Sequence, residues 1–289
     1  MEYGIIKHVR QAVKYLNPDE VCRAAAQPLN IGLVAPSADA LWDMERYFCP
    51  PELSPAKRAH VARMLHRISE VGRTVPYDFE VWDDSLAMPA HAFAFDSRNP
   101  ERIVYEVLKR RPDLALPLAR HIAPFRKPVI DQIVASVSKE NALFSLATAL
   151  PDVVPILSLP WAVGEFASDT AFLTMNQIRM TFMIAAASDR PVGYREQKGE
   201  VGSIIAGAFG FRAIARELVG KIPMGGGLIP KAAIAWTGTQ VVGASMERLY
   251  RIGYAYTREE RRSAYYDLFE RGKQMAQSLL DLLRRPQMT

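Results

Sequence analysis

The stretch Ile222–Gly253, IPMGGGLIPKAAIAWTGTQVVGASMERLYRIG, decides how this chain is read. Lys231 is its only charge before Glu247, and glycine or alanine stands wherever a helix would touch a neighbour. Such a segment must be hidden, either between packed helices or in lipid. Its spacing predicts a helix over Leu228–Tyr250, in which Ala235, Thr239 and Gly243 recur every four residues and leave a groove that admits another backbone. A helix over Glu200–Leu218 repeats the device with Gly202, Ala206 and Gly210. From Ala232 to Met246 the uncharged run spans about 22 Å, short of a hydrocarbon core of about 30 Å. Counted from Ile222 the run is longer, with Lys231 its sole charge. The favoured reading is a close-packed or surface-docked bundle.

Working outward, helices are expected at Val129–Leu150, at Ser168–Ala187 with Phe172, Met175, Ile178, Phe182 and Met183, and from Thr257 to about Arg284. Asp169, Asn176, Gln177 and Arg179 argue against membrane crossing by the second. Thr257 with Glu260 three residues on is a capping box. Before Arg111 the pattern differs. After a helix carrying Ile5, Val9, Val13 and Leu16, Asn17-Pro18-Asp19-Glu20 opens a second. A brief apolar run from Leu29 ends in turn residues, and helices follow at Ala38–Phe48 and Pro55–Val71. Short strands are expected at Tyr77–Trp82 and Ala90–Phe95, then a helix at Pro100–Arg110. Alternation of this kind predicts a mainly parallel sheet. The expected fold class is therefore α+β/α: a small, degenerate, P-loop-like α/β domain over residues 1–111, followed by an all-helical bundle over 112–289.

The chain has 289 residues, 49% hydrophobic and 23% charged, enough to bury a full core. Its 36 basic against 31 acidic residues give a net charge of +5. That mild excess suits an anionic membrane surface, with nucleic acid the less expected partner. Cys22 and Cys49 lie far apart without metal-ligand spacing, which argues against a disulfide framework or zinc site. The first residues lack the apolar core of a secretory signal, and the expectation is a cytoplasmic protein, at the inner face of the cytoplasmic membrane if it docks there.

A P-loop pattern GxxxxGK[ST] beginning at Gly32 would place Ser37 at the second glycine, Ala38 at the lysine and Asp39 at the magnesium-binding hydroxyl. Without the lysine, and with a carboxylate nearby, the usual triphosphate binding should fail. The loop's remaining capacity is an anion held by Ser37 and the backbone N–H groups at Ala38. Asp96 ends a strand where carboxylates sometimes hold metals, but capping the next turn is the commoner role. Asp83-Asp84 reads as a solvated turn in preference to an acid–base pair. His8, His60, His66, His91 and His121 show no metal spacing, and His60 and His66, six apart, would point from different faces of one helix. No catalytic residue, metal or cofactor is expected.

The segments ENALFSLATALPDVVP, TAFLTMNQIRMTFMIAAAS and FGFRAIARELVGKIPMGGGLIPKAAIAWTGTQVVGASMERLYRIG, with Asn141, Pro151, Gln177, Pro223, Lys231, Gly238 and Gly243, resemble a bacterial domain family of unknown function. That family occurs C-terminal to Era-like small GTPases or as a stand-alone inner-membrane-associated protein. The resemblance covers about half the chain, from near Asp113 to Tyr254, and implies a GTPase-like partner domain. Ser37, Ala38 and Asp39 depart from an active GTPase, and an Asn-Lys-x-Asp motif is missing. The expected function is thus non-catalytic docking to a membrane or protein partner, with Arg212, Arg216, Lys231 and Trp236 as candidate contacts. The alternatives are a ligand-binding protein with an atypical anion loop and a soluble homo-oligomer.

Overall fold

A computed structural model describes residues 16–68, 76–148, 169–207 and 227–284. The chain divides into two compact units: residues 20–131 with 186–190, and residues 1–19, 132–185 and 191–289. The expected boundary at 111/112 falls inside the first unit, and the division at Asp131 falls within a helix.

The first unit opens with α1 (Pro18–Ala25), then β1 (Ile31–Val34), α2 (Ala38–Phe48), α3 (Pro55–Ala62), β2 (Leu65–Arg67), β3 (Phe79–Asp83), β4 (Phe93–Phe95), α4 (Glu101–Arg110), a 3-10 turn at Pro112–Leu114 and α5 (Ala115–His121). The four strands are parallel throughout, in the order β2-β1-β3-β4. Ile31, Leu33, Phe79, Val81, Phe93 and Phe95 alternate along their strands and pair in register, so they share one face of the sheet and are buried there. Met44 and Phe48 of α2 and Ile103, Val104, Val107 and Leu108 of α4 supply helical cover at i, i+1, i+4, i+5 spacing. Phe48 stacks on Phe125, ring centroids 6.4 Å apart. Gly32 has a packing reason, since a Cβ there would run into Ile68 and Tyr77. Arg110 pins the entry to β4, its guanidinium donating to the carbonyls of Ala90, His91 and Ala92 and lying over the Phe93 ring.

One expectation fails here. The helix foreseen to Val71 stops at Ala62, and Leu65–Arg67 instead pairs with β1. The open side of β1 supplies ladder hydrogen bonds, with Ile31 N–H donating to Met64 O and Ile68 N–H to Leu33 O. Tertiary pairing overrides local propensity in so short a segment.

A long helix, α6 (Ala123–Ala147), is followed by α7 (Asp169–Ala187), a helical stretch at 198–207, α8 (Leu228–Ile252) and α9 (Arg258–Arg284). Helix α6 starts before the expected Val129: Pro124 in its first turn lacks only an N–H that would go unbonded there, and the helix runs on through Pro128 in its interior. Helices α8 and α9 form a hairpin around Tyr265, which is fully buried and donates its hydroxyl to Ile234 O at 3.3 Å. Gly253, in the left-handed region at φ 86°, ends α8. The capping box opens α9: Glu260 accepts from Thr257 N–H at 2.8 Å, and Thr257 Oγ1 accepts from Glu260 N–H at 3.2 Å.

The small-residue stripe of α8 packs as expected: Ala235, Thr239 and Gly243 are buried, and a Cβ on Gly243 would come within 2.5 Å of Val134 on α6. Asn141 of α6 donates to Thr239 Oγ1 at 2.8 Å and accepts from Asn176 of α7 at 2.9 Å, while Gln177 also donates to Thr239. The stripe at 200–218 fares differently. Gly202 and Ala206 are exposed, with nothing within 4 Å of a Cβ on Gly202 among the described residues, and Gly210 lies outside them. Among the described residues, no helix is long and apolar enough to cross a membrane.

Candidate functional site

In open parallel sheets, ligands sit beyond the carboxyl ends of the strands where the strand order reverses, here between β1 and β3. Gly32, Ser37, Ala38 and Asp39 lie along this edge or lead into it. Ser37 is the N-cap of α2, and its Oγ accepts from Ala40 N–H at 3.2 Å. That hydroxyl therefore already serves the helix. Asp39 occupies the first turn, where a carboxylate complements the helix dipole and repels an incoming anion. The neighbouring acids are also engaged. Asp83 accepts from the N–H and hydroxyl of Ser85. Asp96 accepts from Arg98 N–H at 2.9 Å, and this bond holds its carboxyl below the usual range. Among the described residues no group of three or more His, Cys, Asp or Glu is arranged to hold a metal ion.

A cleft of about 1040 Å³ lies beside the outer strand β2. Helix α2 gives it Trp42, Glu45 and Arg46, and the C-cap residue Cys49 follows, at i, i+3, i+4, i+7 and hence on one face. Arg58 and Ala62 come from α3, Leu65, His66 and Arg67 from β2, and Tyr77 from the approach to β3. Trp42 is 55% exposed because it falls outside the Met44–Phe48 face that meets the core. The Arg46 guanidinium lies 5.2 Å from the Trp42 ring centroid. Glu45 holds Arg67 through a two-pronged pair of 2.7 and 2.8 Å. Arg46 and Arg58 have no carboxylate partner among the described residues. The Cys49 thiol donates to Arg58 O, and burial pushes it up against the opposing pull of the Arg58 guanidinium. A thiol kept protonated is a poor nucleophile. The cleft can hold an anion beside an aromatic ring, but carries no activated nucleophile.

Elsewhere in the same unit, His60 and His121 meet at 3.1 Å, one ring donating to the other. The sequence placed them 61 residues apart, and His66 stands on β2, so the two-faces-of-one-helix argument does not apply. Asp189, which pairs with Lys57 and Arg120, lies close by. Burial, then His60, then Arg120 push His121 down to about 4. Between an ordinary histidine near 6.5 and that value, the unfolded chain binds the extra proton and the folded one does not. Stability should thus fall as pH drops from about 6.5 to about 4 and level off below, by about 1–2 kcal/mol once solvent screening of the half-exposed ring is allowed for. His121→Asn should flatten that slope in urea titrations run across the interval; an unchanged slope would show that His121 is not its source.

In the helical unit, Lys231 is exposed and donates to Thr148 Oγ1 at 3.2 Å. Trp236 is partly buried and packs against the α8–α9 core cluster. Arg212 and Arg216 lie outside the described residues. Sequence reasoning missed the turn joining α8 to α9. Residues 251–255 are all exposed, with Ile252 at 46% and Tyr254 at 73%. The base of that turn is fixed: Ser245 Oγ accepts from Tyr256 N–H, Arg248 pairs with Glu260 and lies over Tyr256, and Gly253 caps α8. Five arginines stand against three glutamates over residues 247–262. The signal was two large apolar residues flanking the helix-ending glycine.

No protein-family model, curated protein or solved structure matches this chain.

Proposed function

We propose that this is a non-catalytic docking protein that associates with an anionic membrane surface without crossing it. Its α/β unit is read as a GTPase-like domain without triphosphate chemistry, and its helical unit as the docking element. The observation that carries the reading is the α8–α9 turn, which presents Ile252 and Tyr254 to solvent on a rigid base among arginines. An apolar residue and a tyrosine beside basic side chains suit the interface between headgroups and acyl chains. The resemblance to inner-membrane-associated domains supports the same reading, as does the engagement of Ser37 in helix capping.

Seating the two side chains in that interface contributes about 2–3 kcal/mol, and the two arginines in excess of glutamates over residues 247–262 about 1 kcal/mol each at an anionic surface. The sum gives weak, salt-sensitive association. The Ile252→Ser, Tyr254→Ser variant should lose roughly thirtyfold or more in partitioning onto phosphatidylglycerol-containing vesicles. Both residues are exposed, so its thermal unfolding should match that of the parent. Equal flotation of parent and variant would refute docking through this turn.

A further inference from the structure

The cleft beside β2 lies in a different unit from the docking turn and has its own chemistry. Among the described residues its charged lining is Arg46, Arg58 and Arg67 against Glu45. The Glu45–Arg67 pair is internally satisfied, which leaves two guanidinium groups without a carboxylate among the described residues. A single carboxylate would match one of them. A phosphomonoester, with a charge of about −1.5 to −2 at neutral pH and three acceptor oxygens, matches both. Guanidinium forks are suited to bind such oxygens two at a time.

The remaining lining says what the ester carries. Trp42, Pro51, Leu65 and Tyr77 offer apolar and aromatic surface. Tyr77 lies against the His66 ring with centroids 5.8 Å apart, and His66 bonds to Asn30 Oδ1 at 3.1 Å, so this wall is braced. Trp42 is held from one side by Arg46 and remains more than half exposed. We propose that the cleft binds a phosphomonoester with an aromatic or apolar body, the phosphate on Arg58 and Arg46 and the body against Trp42 and Tyr77. The site is distinct from the degenerate loop, because none of Gly32, Ser37, Ala38 or Asp39 lines it.

The test uses the full chain carrying Ile252→Ser and Tyr254→Ser, so that the α8–α9 turn contributes nothing. Calorimetry with phenyl phosphate should show binding, weaker with inorganic phosphate and absent with phenol. Arg58→Ala should weaken phenyl phosphate binding by about tenfold or more, with Arg58→Lys intermediate because a point charge replaces a fork. Arg58 is exposed, so the melting temperature should hold. A second arm replaces phenyl phosphate with vesicles containing phosphatidic acid, a lipid phosphomonoester. Arg58-dependent binding of phenyl phosphate supports the proposal with a soluble ligand as the source. Arg58-dependent binding of the vesicles alone supports it with a lipid headgroup as the source. No binding in either arm up to roughly 10 mM, a ceiling weaker than any specific site of this kind, overturns it, as does binding indifferent to Arg58→Ala.

Discussion

Gly243→Leu is expected to destabilise the helical unit by about 3 kcal/mol or more, the cost of forcing bulk into a packed crossing. The added Cβ alone would stand 2.5 and 2.7 Å from the two methyl carbons of Val134 and 3.1 Å from its Cβ. Valine is stiff at χ1 and cannot swing aside, so the helices themselves must separate. Even Gly243→Ala should destabilise, although in an exposed helix the same change stabilises by about 1 kcal/mol. Here the clash outweighs propensity. Val134→Ala removes both methyls, and the Gly243→Ala, Val134→Ala pair should therefore be less destabilised than the two single changes summed. Urea titrations of the four proteins measure that coupling, and strict additivity would mean that the helices do not cross at Gly243.

The second large effect is expected at Asn141, which is fully buried and joins three helices through Thr239 and Asn176. Asn141→Ala removes both bonds, strands the Asn176 amide and leaves a cavity, at about 3 kcal/mol. Gln177 still donates to Thr239, so that hydroxyl keeps a partner and the loss stops short of collapse. Asn141→Leu should recover part of the packing without the hydrogen bonds and lie between the alanine variant and the parent. Chemical denaturation followed by helical circular dichroism gives the order. A leucine variant no more stable than the alanine one would assign the loss to hydrogen bonding alone.

The sequence was most readable where burial leaves a periodic trace. Apolar runs before Val34 and at β3 and β4 announced strands, and the helices after β1 and β4 pointed to a parallel sheet, although no helix stands between β3 and β4. Thr257–Glu260 showed where α9 begins because capping is a local reaction between residues three apart. The Ala235–Thr239–Gly243 stripe was legible for the same reason, but the equally spaced stripe from Gly202 was not decisive. Spacing shows that a close approach is possible, whereas exposure at Gly202 and Ala206 depends on which partner arrives.

What escaped was tertiary. Strand β2 has one apolar residue among three, so only the open flank of β1 specifies it. The cleft gathers residues from α2, α3, β2 and the approach to β3, and no spacing within one segment relates Trp42 to Arg58 or Tyr77. Its one local signal is Trp42 itself, a large aromatic residue on the wrong side of an amphipathic helix. His60 and His121 likewise meet only because α3 and α5 do.

The most direct measurement of the central claim is flotation of the unmodified chain on a density gradient. It should rise with vesicles of phosphatidylglycerol and phosphatidylethanolamine at low salt, remain below with phosphatidylcholine alone, and be released from the anionic vesicles as salt is raised. A chain that stays at the bottom with anionic vesicles at low salt, or one that rises and cannot be released short of detergent, would contradict docking without insertion.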